Sequence, residues 1–271
     1  MIVEYLPIIA ALIAAGALGG ILAGLLGVGG GIVIVPVLYT IFQSLDISPG
    51  TAMSVATATS LLTIVPTSIS SARAHHKRGN VDLALVRAWA VPLLVGVVAG
   101  SIVAVTTGGT LLGLVFGSLA LLVACNMLLR ASAPPLRPAL PGMVGQSVMA
   151  STVGFFSVLM GVGAGTLGVP MMTSFAVPPH RAVGTASLFG LFIALPASII
   201  LLISGVTPPD APVGTIGLVN VPGCAVILPM TILLAPYGVK LGARLNAVRL
   251  KQVFAIFLIL VGLRMLWQSL T

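Results

Sequence analysis

Long apolar blocks alternate with short polar connectors along the whole chain. The blocks cover residues 5–26 and 32–43, 51–71, 83–105, 110–129, 144–160 and 166–177, 184–204, 214–236, and 250–269. A membrane-spanning helix needs about 20 apolar residues, and most of the blocks reach that length. The pattern therefore predicts an all-α, polytopic membrane protein.

Two of the blocks are interrupted by a glycine-rich break that is followed by a proline. The breaks read Gly27-Val28-Gly29-Gly30-Gly31 before Pro36, and Gly161-Val162-Gly163-Ala164-Gly165 before Pro170. Unpaired backbone groups are costly in hydrocarbon, so a break is tolerated only where protein or a water-filled cavity satisfies them. Residues 32–43 and 166–177 are predicted as half-helices that form broken or re-entrant pairs with the helices before them. The alternative is a kink within a single crossing.

The two breaks belong to an internal repeat. A shift of 134 residues aligns eight identical residues of Gly20–Pro36 with Gly154–Pro170, and it also aligns Gly50–Ala52 with Gly184–Ala186. Further along the chain the shift becomes 138 residues. We predict a first transmembrane repeat at residues 1–130, a proline-rich cytoplasmic linker at 131–143 and a second repeat at 144–271.

The charges of the connectors favour one topology. The connectors at 73–78, 130–137 and 240–251 are basic, whereas those around Asp46, residues 108–109 and Asp210 have no Lys or Arg. Basic connectors face the cytoplasm. If each broken segment crosses once, the cluster at 240–251 lies outside; if each forms a hairpin, every basic cluster lies inside. This predicts two inverted repeats with both termini on the outer, non-cytoplasmic side of the membrane.

Composition excludes several classes of function. The chain is 58% hydrophobic and 6% charged, so it is not a soluble domain, and its net charge of +8 is assigned to orientation and anionic lipid instead of nucleic acid. Cys125 and Cys224 form no CxxC motif, and no His, Cys, Asp and Glu cluster has metal-ligand spacing. We expect no enzyme, no metal and no cofactor. All four acidic residues lie at block ends or in loops, which favours transport without ion coupling.

The backbone of the two breaks is the main candidate binding site. A helix that begins after a break presents unpaired N–H donors and the positive end of its dipole, which together can hold an anion. The substrate-binding candidates are Gly27, Gly29, Gly30, Gly31, Gly161, Gly163, Ala164, Gly165 and the hydroxyl of Thr166. The alternative is that these glycines only allow close helix packing, the role we assign to Gly20/Gly24, Gly96/Gly100, Gly113/Gly117 and Gly238/Gly242.

Further candidates lie near the breaks. Thr51, Thr185 and Ser187 are expected to complete the site, and Pro36 and Pro170 to act as hinges. The expected pathway or mouth residues are Ser60, Thr63, Thr67, Arg181 and Arg264. The alternatives are that the hydroxyls bond their own backbone, that Thr51 and Thr185 cap helices, and that Arg264 extends to the outer surface.

Four stretches resemble the TauE/SafE sulfite exporter family: Gly24–Pro36 (GLLGVGGGIVIVP), Gly161–Pro170 (GVGAGTLGVP), Gly184–Ser187, and Pro236–Arg264 (PYGVKLGARLNAVRLKQVFAIFLILVGLR). The resemblance covers nearly the whole chain. It implies a bacterial inner-membrane carrier, whose two termini would then be periplasmic, that exports small sulfur-containing anions such as sulfite, sulfoacetate or related organosulfonates. Ala164 departs from the glycine of the first motif, so the two halves of the site need not be equivalent.

The hypothesis from the sequence is therefore an anion carrier that works by alternating access. A channel-like anion pore and a membrane-embedded thiol redox protein are the alternatives. The expected partners are the anion and membrane lipids, without nucleic acid, and a homodimer is compatible with the sequence.

Overall fold

The computed structural model describes residues 2–129, 135–245 and 247–270. These residues form helices and one small strand pair: α1 (Ile2–Leu26), α2 (Gly31–Ser44), α3 (Pro49–His76), α4 (Leu83–Thr107), α5 (Gly109–Leu129), α6 (Met143–Met160), α7 (Gly165–Ser174), α8 (Pro179–Ile203), β1 (Thr215–Ile216), β2 (Val219–Asn220), α9 (Val221–Gly242) and α10 (Ala247–Leu270). Residues 131–134 of the predicted linker lie outside the described residues.

The all-α membrane fold is confirmed. Seven of the described helices are long and apolar enough to cross a membrane, namely α1, α3, α4, α5, α6, α8 and α9, while α2 is a shorter apolar helix. The half-helices after the two breaks are also present, as α2 and α7, with Pro36 and Pro170 inside them.

One predicted block is different in the structure. The block at 214–236 was expected to be helical throughout, but its first residues form the antiparallel pair β1–β2. Gly214 and Gly217 have φ angles of +81° and +57°, which suit a tight turn and not a helix. Helix α9 then begins at Val221, where the side chain of Asn220 accepts a hydrogen bond from the N–H of Gly223.

Contacts between the connectors define two ends of the bundle. At the Asp210 end, Asp210 contacts Ser48 and Thr51 where α3 begins. At the His75 end, where α3 finishes, Arg181 at the start of α8 contacts Asp82 at the start of α4. Helices α3 and α8, which correspond in the repeat, therefore start at opposite ends.

The first broken segment forms a hairpin. Gly16, Gly20 and Gly24 of α1 face Ile227, Thr231 and Ala235 of α9 in that order, so the two helices run in the same direction. Helix α9 starts beside the strand pair, at the Asp210 end, and α2 must return to that end because α3 begins there. Helices α1 and α2 thus enter and leave at the same end of the bundle.

The packing exchanges partners between the two halves. Helix α1 packs on α9, while its counterpart α6 packs on α4, the counterpart of α9. Helix α3 packs on its own counterpart α8, and α5 packs on its own counterpart α10. A two-fold relation between oppositely directed halves produces this pattern, although the inverted repeat, its domain boundaries and its orientation in the membrane remain predictions.

Glycines let the helices of these pairs approach closely. A Cβ atom at Gly24 or Gly238 would overlap a backbone carbonyl of the facing helix, that of Ala235 or of Ile21. Gly96 and Gly100 of α4 lie in the same way against the carbonyls of Ser151 and Phe155. The packing role predicted for these glycines agrees with the structure, because van der Waals contact is what holds helices together in lipid.

Two glycines one turn apart on α9 allow a matched test of this packing. We expect Gly238→Ala to destabilise the protein by about 1–3 kcal/mol, since its methyl group has no room against α1. Gly242→Ala should be close to neutral, because the nearest atom to its Cβ would be the movable Leu25 Cδ2 at 3.3 Å. Thermal unfolding of the purified variants in detergent measures both. Equal melting temperatures would contradict the assigned packing.

Candidate functional site

The two breaks cross each other in the centre of the protein. The N–H of Gly163 donates to the carbonyl of Val28 at 2.8 Å, and the N–H of Gly165 donates to the carbonyl of Gly27 at 3.1 Å. The hydroxyl of Ser60 on α3 donates to the carbonyl of Gly161 at 2.7 Å. Each break thus satisfies part of the backbone of the other, as burial in an apolar interior requires.

Glycine is required in the first break for two reasons. Gly27, Gly29 and Gly30 have φ angles of +68°, +74° and +83°, in the left-handed region that other residues rarely adopt. A Cβ atom at Gly31 would also overlap the carbonyl of Gly161. In the second break only Gly161, at +66°, has a positive φ, so Ala164 is accommodated there. The difference between the two motifs therefore follows from backbone conformation.

Several N–H groups of the breaks remain available. Those of Gly29, Gly30, Gly31, Ala164 and Thr166 have no hydrogen-bond partner among the described residues. They lie where α2 and α7 begin, so the positive ends of both helix dipoles point at the crossing. The crossing therefore offers donors and positive potential without a charged side chain.

A cavity of about 350 Å³ connects the crossing with the His75 end. Its inner wall includes Val28 of the first break together with Gly165 and Thr166 of the second. Its mouth includes Arg78, Asn80 and His180. Gly29, Gly30 and Gly31 are not among its lining residues, because they pack against Ile64, Gly19 and Ser60.

Among the described residues, four buried hydroxyls have no hydrogen-bond partner, those of Thr57, Ser68, Ser157 and Thr166, and of these only Thr166 lines the cavity. It is 1% exposed, it lines the cavity, and its hydroxyl has no hydrogen-bond partner among the described residues. Leaving a buried hydroxyl unpaired costs about 1–3 kcal/mol. A hydroxyl kept at that cost, on the first turn of a helix and beside a cavity, is a candidate donor to a bound anion.

His75 is a cavity residue that the sequence interpretation missed by placing it in a loop. It is buried on α3, its Nε2 lies 2.9 Å from the carbonyl of Gly24, and its Nδ1 lies 3.5 Å from Nδ2 of Asn80. The hydroxyl face that contains Thr67 and Ser71 continues to position 75 at helical spacing. That spacing was the sequence signal that could have placed His75 on the buried face of α3.

The predicted pathway hydroxyls are occupied by the backbone. Thr63 donates to the carbonyl of Ser60, and Thr67 donates to that of Thr63, each at 2.7 Å. Ser187 likewise donates to the carbonyl of Gly184 at 2.7 Å. All of them are buried, and their roles in binding or in a pathway remain predictions.

The remaining candidates lie at the two ends of the bundle. At the His75 end, Thr185 accepts a hydrogen bond from the N–H of Asp82, whose carboxylate pairs with Arg181 at 2.6 Å. At the Asp210 end, Thr51 donates to Asp210 at 2.7 Å. Arg264 on α10 donates to Thr40 at 3.0 Å. The side chains of these residues thus bond to groups other than those of the two breaks.

Hydrogen bonds from Ser48 and Thr51 lower the pKa of the exposed Asp210 carboxyl from 3.8 to about 2. A carboxylate that accepts such bonds is favoured in its charged form. Asp210 therefore remains ionised at every physiological pH, and its contact with α3 persists.

The described residues contain no group of three or more His, Cys, Asp or Glu that could hold a metal ion. Cys125 on α5 is exposed, Cys224 on α9 is buried, and both are free thiols.

Two buried threonines allow the role of the Thr166 hydroxyl to be tested through stability. Thr166→Val should leave the melting temperature unchanged or raise it, because it removes an unpaired polar group. Thr185→Val should cost about 1–3 kcal/mol, because it leaves the N–H of Asp82 without its acceptor. Thermal unfolding without added anion compares the two. A larger loss for Thr166→Val would show that its hydroxyl serves the fold.

Comparison with known proteins finds relatives named as probable membrane transporters. The chain is similar to a probable membrane transporter protein of Haemophilus influenzae, at 30% identity over 92% of this chain and 95% of the relative. It is also similar to the probable membrane transporter protein YunE of Bacillus subtilis, at 29% identity over 96% and 97%. A third such protein, MJ0441 of Methanocaldococcus jannaschii, is 26% identical over 97% of both chains. No solved structure matches the chain.

The family model described as sulfite exporter TauE/SafE matches residues 12–265, which is most of the chain. The matched region includes both glycine-rich breaks, the cavity and all the helices that meet at the crossing. The protein is therefore a membrane transporter that belongs to the TauE/SafE sulfite exporter family.

Proposed function

We propose that the protein is an inner-membrane carrier that exports small sulfur-containing anions by alternating access. The observation that carries the proposal is the unpaired hydroxyl of Thr166 at the inner end of the cavity, beside the first turn of α7. The oxygens of a sulfite or sulfonate group accept hydrogen bonds, and the N–H and hydroxyl of Thr166 donate them. The dipole of α7 adds positive potential at the same place.

The charges along the cavity favour an anion. Its mouth carries the cation of Arg78, and its described lining contains no Asp or Glu. An anion would thus meet positive potential first from this side chain and then from the backbone. This arrangement avoids a cation buried at mid-depth, which would be costly in the membrane.

The walls of the cavity favour an anion with an apolar part. Leu25, Leu26, Val169, Val183 and Phe254 contribute to the lining. At about 350 Å³ the cavity has room for more than an oxyanion alone. We therefore place organosulfonates with a short carbon chain ahead of bare sulfite among the substrates.

Alternating access is supported by a contact that differs between the two halves. The N-cap residues of α4 and α9, Asp82 and Asn220, each donate their N–H to a threonine, Thr185 on α8 and Thr59 on α3. Thr185 corresponds to Thr51 in the repeat, and Thr59 lies about two turns beyond Thr51. The start of α9 therefore contacts α3 about two turns further along that helix than the start of α4 contacts α8. This asymmetry fits a closed Asp210 end and an accessible His75 end.

The repeat also gives Arg264 a role in the conformation that is open at the Asp210 end. Its counterpart is Asn126, and the counterpart of its partner Thr40 is Ser174; both Asn126 and Ser174 line the cavity. If the two halves exchange conformations, Arg264 and Thr40 come to line the corresponding cavity at the Asp210 end. An anion leaving through that end would then meet a cation.

Transport in proteoliposomes with an imposed voltage tests the proposal. Each negative charge that leaves a negative interior gains about 2.3 kcal/mol per 100 mV, so export needs no coupled ion. We expect sulfoacetate and sulfite to follow the voltage with the pH gradient collapsed, and Thr166→Val to lower the apparent affinity for the anion about tenfold, the loss of one hydrogen bond to a charged group. A carboxylate of equal size is the control. Strict dependence on a proton gradient, or unchanged affinity in Thr166→Val, would refute the proposal.

The closed Asp210 end yields a separate prediction. Asp210→Asn should speed amide hydrogen exchange at Ser48 and the first turn of α3 about fivefold, because a neutral amide accepts hydrogen bonds less strongly than a carboxylate. Asp46→Asn is the control, since Asp46 has a φ angle of +60°, which asparagine tolerates.

The pH dependence of this contact follows from the direction of the pKa shift. Since the pKa of Asp210 is lowered to about 2, its stabilisation is complete above about pH 4 and is lost only as the pH falls towards 2. Exchange at Ser48 that changes between pH 5 and pH 8 beyond its intrinsic rate would contradict this assignment.

A further inference from the structure

A groove with two chemically distinct parts runs along the surface between α3 and α9. It has a volume of about 550 Å³ and lies at the His75 end. Its apolar part is formed by Pro66, Ile69, Ile232 and Pro236. Its polar part carries four cations, Arg73, Lys77, Arg78 and Lys240. No predicted site residue belongs to it.

Hydrogen bonds between the helices hold the groove in shape. Pro236 has no N–H, so the carbonyl of Ile232 loses its partner within α9. The hydroxyl of Ser70 on α3 donates to that carbonyl at 2.9 Å. Further towards the basic part, the guanidinium of Arg78 donates to the carbonyl of Val239 at 3.0 Å. The two helices are thus fixed at the spacing that leaves the groove between them.

The cations of the groove are not neutralised within the described protein. Arg73, Lys77 and Lys240 are exposed, and the ion pair recorded among the described residues is that of Arg181 with Asp82. The Lys240 ammonium lies 5.3 Å from the ring centre of Tyr237, which does not remove its charge. Four clustered cations therefore remain to attract an anion.

The surroundings of the apolar part indicate what kind of anion fits. Ile232, Leu233 and Tyr237 are 36%, 61% and 62% exposed on α9, a helix apolar enough to span the membrane. Such a surface faces hydrocarbon, and Tyr237 beside Lys240 is typical of the boundary with the headgroups. The ligand must therefore be apolar next to Ile69 and Ile232 and anionic next to Lys77 and Lys240.

We propose that this groove is a binding site for an anionic glycerophospholipid. The headgroup phosphate lies among Arg73, Lys77 and Lys240, and an acyl chain lies along the apolar part, as basic pockets between membrane helices bind acidic lipids. Inorganic phosphate would use only the polar part, and an acidic soluble protein could not reach the part that faces hydrocarbon. The proposal does not depend on the substrate of the carrier.

Native mass spectrometry of the purified protein, after exchange into detergent with phosphatidylglycerol or phosphatidylcholine, tests the site. We expect retention of phosphatidylglycerol in preference to phosphatidylcholine. The double variant Lys77→Gln/Lys240→Gln should weaken that retention about fivefold for each cation removed. The matched control is Arg87→Gln/Arg244→Gln, which removes two exposed cations that do not line the groove. Equal losses in both double variants would show only general attraction and would overturn the proposal.

A second variant tests the apolar part without changing the charge. Ala74 lines the groove, and Ala74→Phe should fill the space for the acyl chain and reduce phosphatidylglycerol retention severalfold while the melting temperature without lipid is kept. Inorganic phosphate, which has no acyl chain, is the control ligand. If phosphate stabilises the protein as well as phosphatidylglycerol does, or if Ala74→Phe retains the lipid unchanged, the site is one for free anions and not for a phospholipid.

Discussion

The structure depends on one constraint, that backbone polar groups cannot remain unpaired where lipid or apolar protein surrounds them. Two glycine-rich breaks create such groups in the middle of the protein. The breaks are tolerated there because each pairs part of its backbone with that of the other. The carbonyls of Gly27 and Val28 accept hydrogen bonds from the N–H groups of Gly165 and Gly163, and the carbonyl of Gly161 accepts one from the hydroxyl of Ser60. The N–H groups of Gly29, Gly30, Gly31, Ala164 and Thr166 take no part in this pairing, and of these residues Thr166 lines the cavity.

Close helix packing makes that meeting possible. The crossing is surrounded by helix pairs whose glycines lie against facing carbonyls, such as Gly24 of α1 against α9 and Gly96 of α4 against α6. Helices that approach this closely leave little freedom to the broken segments between them. The close packing of α1 on α9 and of α4 on α6 therefore holds the pairs α1–α2 and α6–α7 in place at the crossing.

Charge is distributed unevenly between the two ends of the bundle. Several cations lie at the His75 end, where some line the cavity and others line the groove between α3 and α9, whereas Arg264 lies on α10 beside Thr40. Arg78 belongs to both, since it lines the cavity and the groove and bonds the carbonyl of Val239. A phospholipid in the groove would therefore lie next to a wall of the cavity. The acidic residues with described side chains lie in connectors, where Asp82 and Asp210 fasten the ends of helices.

Apolar block length and the repeated glycine–proline signature were sufficient to predict the membrane helices, both breaks and the half-helices α2 and α7. These features are local, because hydrophobic length and the conformational freedom of glycine act through neighbouring residues. The strand pair before α9 was missed because an apolar block looks the same whether it winds as a helix or turns at Gly214 and Gly217. The crossing of the two breaks and the unpaired hydroxyl of Thr166 were decided only by the tertiary structure. Each depends on which group from a distant part of the chain lies opposite, and spacing along the sequence carries no information about that partner.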